Sequence, residues 1–316
     1  MKDTIVLYHR GCNDGIVAAW AVRQKLGMGP HVKYFPYQYG EKLPVEVFGN
    51  HVIMVDLSVP EKQLAELRQE VESVLIIDHH KTAEPLQAAM RPVRTYSEYI
   101  RYRSQGDMTF LYFDKEHSGA VLTWAFFNDH KDIDTALMPM ALKLIEDYDL
   151  WKHEHPDSKA VNAWLINGGL SMDRVDQLMS HDGEVPEEVL LVGRALMRYD
   201  DKIIKSVLRE YVVEETLDDG TTLAIVNAPH HLRNEIGDRL ADKYDFVALY
   251  TYRKEKVIWS LRSKSYDVSK VAEKFDGGGH HLAAAFARVH HPIRHPFHRF
   301  SIRRRLKAAW YGLIGK

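Results

Sequence analysis

One cysteine among 316 residues excludes a disulfide framework and any cysteine-rich zinc module. No apolar run reaches the length of a membrane span, and the run inside the opening MKDTIVLYHR is too short for a secretory leader. Internal repeats and long low-complexity segments are missing as well. What is present is an ordinary globular balance of 45% apolar and 27% charged residues. The chain is long enough for two domains whose cores need no covalent staples. A reducing compartment, most simply the cytoplasm, is the expected setting.

Acid is lacking at one end. No Asp or Glu follows Asp276, whereas Arg288, Arg294, Arg299, Arg303, Arg304, Arg305, Lys307 and Lys316 do. Residues 1–276 therefore hold 34 basic and 44 acidic side chains, a net of −10, and the last 40 residues carry +8. Such a tail either meets an anionic partner or folds back on the acidic body.

The apolar runs TIVLYH (4–9), HVKYF (31–35), HVIMVDLS (51–58) and SVLIIDHH (73–80) alternate with the helical patterns IVAAWAVRQKLG and PEKQLAELRQEVE. This alternation predicts an α/β domain with a doubly wound, mainly parallel sheet. Sites in such sheets lie beyond the carboxyl ends of the strands. His9, Asp56, Asp78, His79 and His80 all fall at the ends of apolar runs. The rule thus gathers them at one edge, where buried Asp and His demand a partner or a ligand.

Residues 91–112, bearing Arg94, Tyr96, Tyr99, Arg101, Tyr102 and Arg103, read as an irregular surface excursion. Helical patterns follow from Ser118 to about Leu150. The turn-forming HDGEVPEE marks a boundary near 182–187, so the first domain is expected over 1–185 and a linker helix over 186–212. A smaller α+β domain follows over 213–290. It begins with a hairpin turning at Asp219–Gly220 and continues with a helix at 233–243 and strands at 246–252 and 257–263. The basic tail over 291–316 combines an extended His/Pro segment with a short amphipathic helix.

Carboxylates and imidazoles carry the chemistry. Asp78-His79-His80, Asp147 with Asp149 close by, His9 with Asp14, and Asp56 form a set suited to hard or borderline divalent cations. Manganese fits best, with magnesium, iron or cobalt as alternatives. Farther along, Gly277-Gly278-Gly279-His280-His281 is expected to open a helix over LAAAFA, which would make a phosphate-binding N-terminus.

With these motifs in order, the chain resembles the DHH/DHHA1 phosphoesterase superfamily. HRGCNDGIVAAWA, VDLS, IIDHHKT and EDYDLW match its four catalytic motifs. IVNAP, NEIG, WSLRS, DVSKVAEKF and GGGHHLAAAF follow the DHHA1 pattern. The likeness covers roughly residues 4 to 288, and the ordered set is specific where each piece alone is not. The nearest subgroup is that of nano-RNases and cyclic-nucleotide phosphodiesterases.

The resemblance implies two divalent ions. His9 and Asp14 would be ligands from the first strand and its turn, Asp56 would bridge the metals, and His79 and Asp147 would complete the shell of the second metal. His80 would hold the scissile phosphate and Asp78 would orient a histidine. Arg262, with Gly278, Gly279 and His280, would grip a terminal phosphate or base, with Asn227 in the same cleft. The family's first motif often reads Asp-x-Asp, whereas here Cys12 precedes Asp14 in that frame. Cys12 is a thiolate ligand favouring softer ions, a residue lining the site, or a small buried hydrophobe.

The implied activity is manganese-dependent hydrolysis of short oligoribonucleotides or linear dinucleotides to mononucleotides by an activated water. Cyclic mononucleotides, pyrophosphate and polyphosphate are the alternative substrates. A non-catalytic nucleic-acid-binding protein is the alternative of a different class.

Overall fold

Six strands, most of them apolar, pair into one parallel sheet in the first part of the chain. They are β1 (Thr4–His9), β2 (Val32–Tyr37), β3 (His51–Val55), β4 (Ser73–Asp78), β5 (Arg91–Pro92) and β6 (Thr109–Phe113). Their order is β2-β1-β3-β4-β6-β5. The computed structural model describes residues 2–289 apart from 39, 40, 135, 182, 254 and 255. The tail over 291–316, with its expected helix and anionic partner, lies outside the described residues. Residues divide into two compact units, Met1–Met197 and Arg198–Lys316.

Successive strand residues serve two cores. Val6, Ile53, Val55, Leu75 and Ile77 pack with α1 (Asn13–Leu26) and its neighbours. Ile5, Leu7, Val52, Met54, Val74 and Ile76 pack with Leu64 and Leu67 of α2 (Glu61–Glu70). Both faces being covered explains why these strands read as continuous apolar runs rather than alternating ones. The chain leaves β1 for β2 on one side and returns for β3 on the other. The switch point of this doubly wound sheet therefore lies between β1 and β3.

The segment read as an irregular excursion contains β5, α3 (Tyr96–Ser104) and the buried strand β6. A helix signal was present: the Thr95 side chain accepts from Glu98 N, and Glu98 in turn accepts from Arg94 N. Arg91, Arg101 and Arg103 pack on the rings of Tyr99 and Tyr102. Arg91 lies 3.7 Å over the Tyr102 ring, and Arg103 donates to the hydroxyl of buried Tyr99 at 3.0 Å. The unit is completed by α4 (Gly119–Phe127), α5 (Met140–Asp149), α6 (Ser158–Asn167) and α7 (Met172–Leu178).

The helix α8 (Glu187–Glu210) runs across the division between the units. The second unit holds β7 (Val212–Thr216), β8 (Thr222–Asn227), α9 (Arg233–Leu240), β9 (Phe246–Arg253), β10 (Lys256–Arg262), α10 (Val268–Glu273), β11 (Gly278–His280) and β12 (Ala283–Val289). Its sheet runs β11-β12-β10-β9-β8-β7, with β8 and β9 parallel and the other pairs antiparallel.

The glycine run does not open a helix. Gly278–His280 and Ala283–Val289 are paired antiparallel strands. Alanine favours helix locally, but Ala284 and Phe286 alternate inward against β10, and that pairing overrides propensity. The glycines serve close approach: a Cβ on Gly279, whose φ is +146°, would come within 2.5 Å of Ala283 O and Ala284 Cα. The expected phosphate site at a helix N-terminus is therefore absent from this segment.

Candidate metal centre

Four pieces of chain meet at the switch point of the first sheet. β1 ends in His9, and a tight turn through Gly11 delivers Cys12 and Asp14 to the start of α1. β3 ends one residue before Asp56, whose left-handed backbone (φ 55°) turns the chain at once out of the sheet. That conformation is costly for a side-chain-bearing residue, though less so for Asp than for most. β4 ends in Asp78, which His79 and His80 follow.

Asp78 is fully buried and acts as a clamp. One of its oxygens accepts from His79 N (2.8 Å), His80 N (3.2 Å) and His80 Nδ1 (2.7 Å). The imidazole of His80 is thereby fixed, with its Nε2 edge left for another partner. Asp56 is the hub. His79 Nε2 stands 3.2 Å from its Oδ1, His9 Nδ1 3.4 Å from its Oδ2, and His80 Nδ1 3.8 Å from its Oδ1. The second acid beside His79 is Asp149, at 3.5 Å.

Asp147, expected as a ligand, has one carboxylate oxygen engaged elsewhere, while its Oδ2 is buried with no hydrogen-bond partner. Its Oδ1 accepts from Glu154 N at 2.8 Å, and its carbonyl accepts from Lys152 N and His153 N, so it closes the loop after α5. Two residues on, at the last position of α5, Asp149 is the one turned into the cluster.

Two neighbours were invisible as site residues. Asp14 accepts from Ala120 N with both carboxylate oxygens at 3.1 Å, so the N-terminal end of α4 holds it. Gly119 makes that approach possible. A Cβ there would lie 2.7 Å from Asp56 Cβ and 2.8 Å from Asp14 Oδ2. Gly15 does the same on the other side, where a Cβ would meet His9 O at 2.5 Å. The only sequence signal was the Ser118–Gly119 pair ahead of an apolar helix, an N-cap and nothing more.

The electrostatics are those of a crowded anionic site. Burial, then the charges of Asp149 and Asp56, push the Asp14 carboxyl well above its usual range. Burial and Asp56 raise Asp149 to about 6. Burial opposes the charge on Asp56, but interactions with His79, His9 and His80 outweigh it and hold the carboxyl below its usual range. Burial likewise opposes charge on His79, yet its bond to Asp56 and the charges of Asp14, Asp56 and Asp149 raise it to about 10. Burial and the same three acids keep the Cys12 thiol protonated to well above its ordinary range.

Divalent cations fit these residues. Asp56 Oδ2, Asp78 Oδ2 and His9 Nδ1 are buried with no hydrogen-bond partner, a costly state for a lone pair. Among the described residues, three groups have ligand atoms within 4.8 Å of one another: His9, Cys12 and Asp56; Asp14, His79 and Asp149; and Asp56, Asp78, His79 and His80. A cation between these donors satisfies the orphaned atoms and offsets the repulsion among carboxylates.

In the second unit, Arg262 Nη2 donates to Asn234 Oδ1 at 2.7 Å and Nη1 to Leu261 O at 2.8 Å. Burial, with Arg233 nearby, lowers its guanidinium to about 10. Strand register sets Arg262 level with Ala283 and His280 across three strands. Asn227 is level with Tyr250 and hence with Trp259, three residues from Arg262 along the sheet, and it donates to Tyr250 O. The sheet thus groups Arg262 with His280 and sets Asn227 roughly 10 Å away along the strands.

No family model matches the chain. The oligoribonuclease NrnB of Bacillus subtilis is 25% identical over 301 residues, covering 87% of this chain and 69% of that protein. Among solved structures, the DHH domain of a protein assigned to a family of ribosomal proteins aligns with a TM-score of 0.55 at 15% identity, over 99% of this chain and 87% of that one. The pGpG-specific phosphodiesterase PggH of Vibrio cholerae aligns with a TM-score of 0.50 at 14% identity, over 99% of both chains. The chain therefore has the fold of these DHH-domain structures, with the Asp-His-His end of β4 at the switch point of its first sheet, and its sequence is similar to that of an oligoribonuclease.

Proposed function

We propose that the chain is a metal-dependent phosphodiesterase that hydrolyses short oligoribonucleotides or linear dinucleotides to mononucleotides. The observation that carries this reading is the convergence of His9, Asp14, Asp56, His79 and Asp149 around orphaned buried oxygens, with His80 clamped beside them. Two divalent ions, manganese by preference, would be held by His9, Asp14, Asp56, His79 and Asp149. Bound there, they supply positive charge against the phosphoryl oxygens and acidify water.

The chain's own residues do the rest. Asp78 fixes the His80 ring so that Nε2 faces away from the clamp, where it can donate to a phosphoryl oxygen and stabilise charge in the transition state. Asp149 and Asp56 hold His79. In the second unit, Arg262 and His280 are the proposed holders of a substrate phosphate or base, with Arg262 presented by Asn234. Two relatives whose names specify nucleotide phosphodiester cleavage, an oligoribonuclease and a pGpG-specific phosphodiesterase, support this substrate class over bare phosphate chains.

The test is turnover of a 5′-phosphorylated RNA dinucleotide with manganese, beside cyclic AMP and polyphosphate. The native chain should release mononucleotides from the dinucleotide, and His80→Ala and Asp149→Asn should not. Faster turnover of cyclic AMP or polyphosphate would replace the substrate reading. No turnover of any of the three by the folded, metal-loaded chain would overturn the enzyme reading itself.

A further inference from the structure

We infer that Cys12 is a metal ligand through its sulfur, so that the His9 side of the centre is a mixed His/Cys/Asp site selecting softer divalent ions. The inference rests on the metal-dependent reading above and adds to it the donor set of one ion.

The geometry is specific. The ring nitrogen of His9, the sulfur of Cys12 and a carboxylate oxygen of Asp56 lie within 4.8 Å of one another. Donors bonded at about 2.0–2.3 Å to one ion stand at most about 4.6 Å apart, so small adjustments close the set. A second observation is independent of the sulfur. Asp56 is 1% exposed, and its Oδ2 has no hydrogen-bond partner, nor does His9 Nδ1 3.4 Å from it. Both residues belong to the group that the Cys12 sulfur completes.

The backbone leaves the thiol little choice of place. Cys12 caps α1, and its carbonyl accepts from Ile16 N. The close fit of Gly15 on His9 ties that helix end to the end of β1. Ligation replaces the S–H bond by a sulfur–metal bond and releases the proton to solvent. Thiolate donors favour zinc, cobalt and cadmium over magnesium.

Cys12 is the only cysteine in the chain, so a thiolate signal has one source. The full chain, stripped of metal, is titrated with cobalt(II), and its visible ligand-field bands and near-ultraviolet sulfur-to-cobalt band are recorded. Alkylation of the thiol by iodoacetamide is timed with and without cadmium. The native chain should show both sets of bands and protection by cadmium. Cys12→Ser should keep ligand-field bands and lose the sulfur band. Ligand-field bands without a sulfur band, and alkylation unaffected by cadmium, would overturn the inference and leave the metal-dependent reading standing. No cobalt binding by the native chain would overturn both. The native spectra and alkylation rates decide the matter even if the variant fails to fold.

Discussion

Gly119→Ala separates a structural account of the site from a generic one, because two effects oppose each other. Replacing glycine by alanine within a helix ordinarily stabilises by about 0.5–1 kcal/mol. Here the new methyl would lie 2.7 Å from Asp56 Cβ, 2.8 Å from Asp14 Oδ2 and 2.9 Å from Asp56 Cα. Two of those atoms belong to a residue whose backbone is already in a strained left-handed state. Something must shift by most of an ångström. Overpacking of this kind costs about 1–3 kcal/mol. The bonds from Ala120 N to Asp14 lengthen with it, and hydrogen bonds to charged groups are worth about 1.5–3 kcal/mol. A net loss of about 2–4 kcal/mol follows. At about 2–4 °C per kcal/mol for a unit of this size, melting should fall by roughly 4–16 °C.

Metal affinity should fall about 10–100-fold as well, as when a supporting shell is disturbed. Differential scanning calorimetry without metal and calorimetric titration with manganese measure the two effects. Gly29→Ala is the control, because a Cβ there meets nothing within 4 Å. If Gly119→Ala melts at or above the native temperature and binds manganese equally well, the close packing of α4 on Asp14 and Asp56 does not organise the site.

Three further outcomes follow from other contacts. Glu146 is buried and accepts from Ser118 N at 3.1 Å while pairing with His117, so Glu146→Gln should loosen the start of α4 and weaken manganese binding about tenfold, read by titration calorimetry. Asn234→Ala removes the acceptor that orients Arg262, and the lost bond of about 1.5 kcal/mol or more should raise KM for the dinucleotide about tenfold while kcat changes little. Burial, helped by the charge of Arg233, lowers His230 to about 4. A depressed imidazole favours the neutral form in the folded state. Its stabilisation is therefore present above the unfolded value of about 6.5 and is lost as pH falls toward 4. His230→Gln should flatten the melting temperature across that interval.

The edge of the first sheet was legible because a parallel strand buried on both faces tolerates polar residues only where it ends. His9, Asp56 and Asp78 therefore announced the strand ends, and the fold brings them together as a candidate site. Asp147 and Asp149 could not be told apart that way. They lie two residues apart on α5, about 200° around a helix, and which one faces inward depends on packing the pattern does not encode. Gly119 and Ala120 were silent because their contribution is made by a missing side chain and a backbone N–H. In the second unit the Ala-rich segment misled, because sheet pairing with β10 decides its state and local propensity does not. Residues 91–112 read as a surface excursion because tyrosine faces and a hydroxyl that take up Arg91, Arg101 and Arg103 leave no periodic signal.

The site also opposes the fold that carries it, and this can be measured. Asp149 is pressed toward Asp56 and Asp14, and the repulsion raises the free energy of the metal-free fold. Relieving such a strained functional arrangement commonly yields about 0.5–2 kcal/mol. Asp149→Asn keeps the shape and removes the charge, so the metal-free variant should melt about 1–8 °C above the native chain at neutral pH. With manganese the order should reverse. The native chain gains about 2.7 kcal/mol when the ion is at a hundred times its dissociation constant, whereas the variant, missing one donor of the Asp14–His79–Asp149 group, gains far less. A structural acid in the same place would give the opposite pair of results: a lower melting temperature on substitution and a manganese response left intact. That crossing of the two melting curves distinguishes a carboxylate placed to hold a cation from one placed to hold the fold.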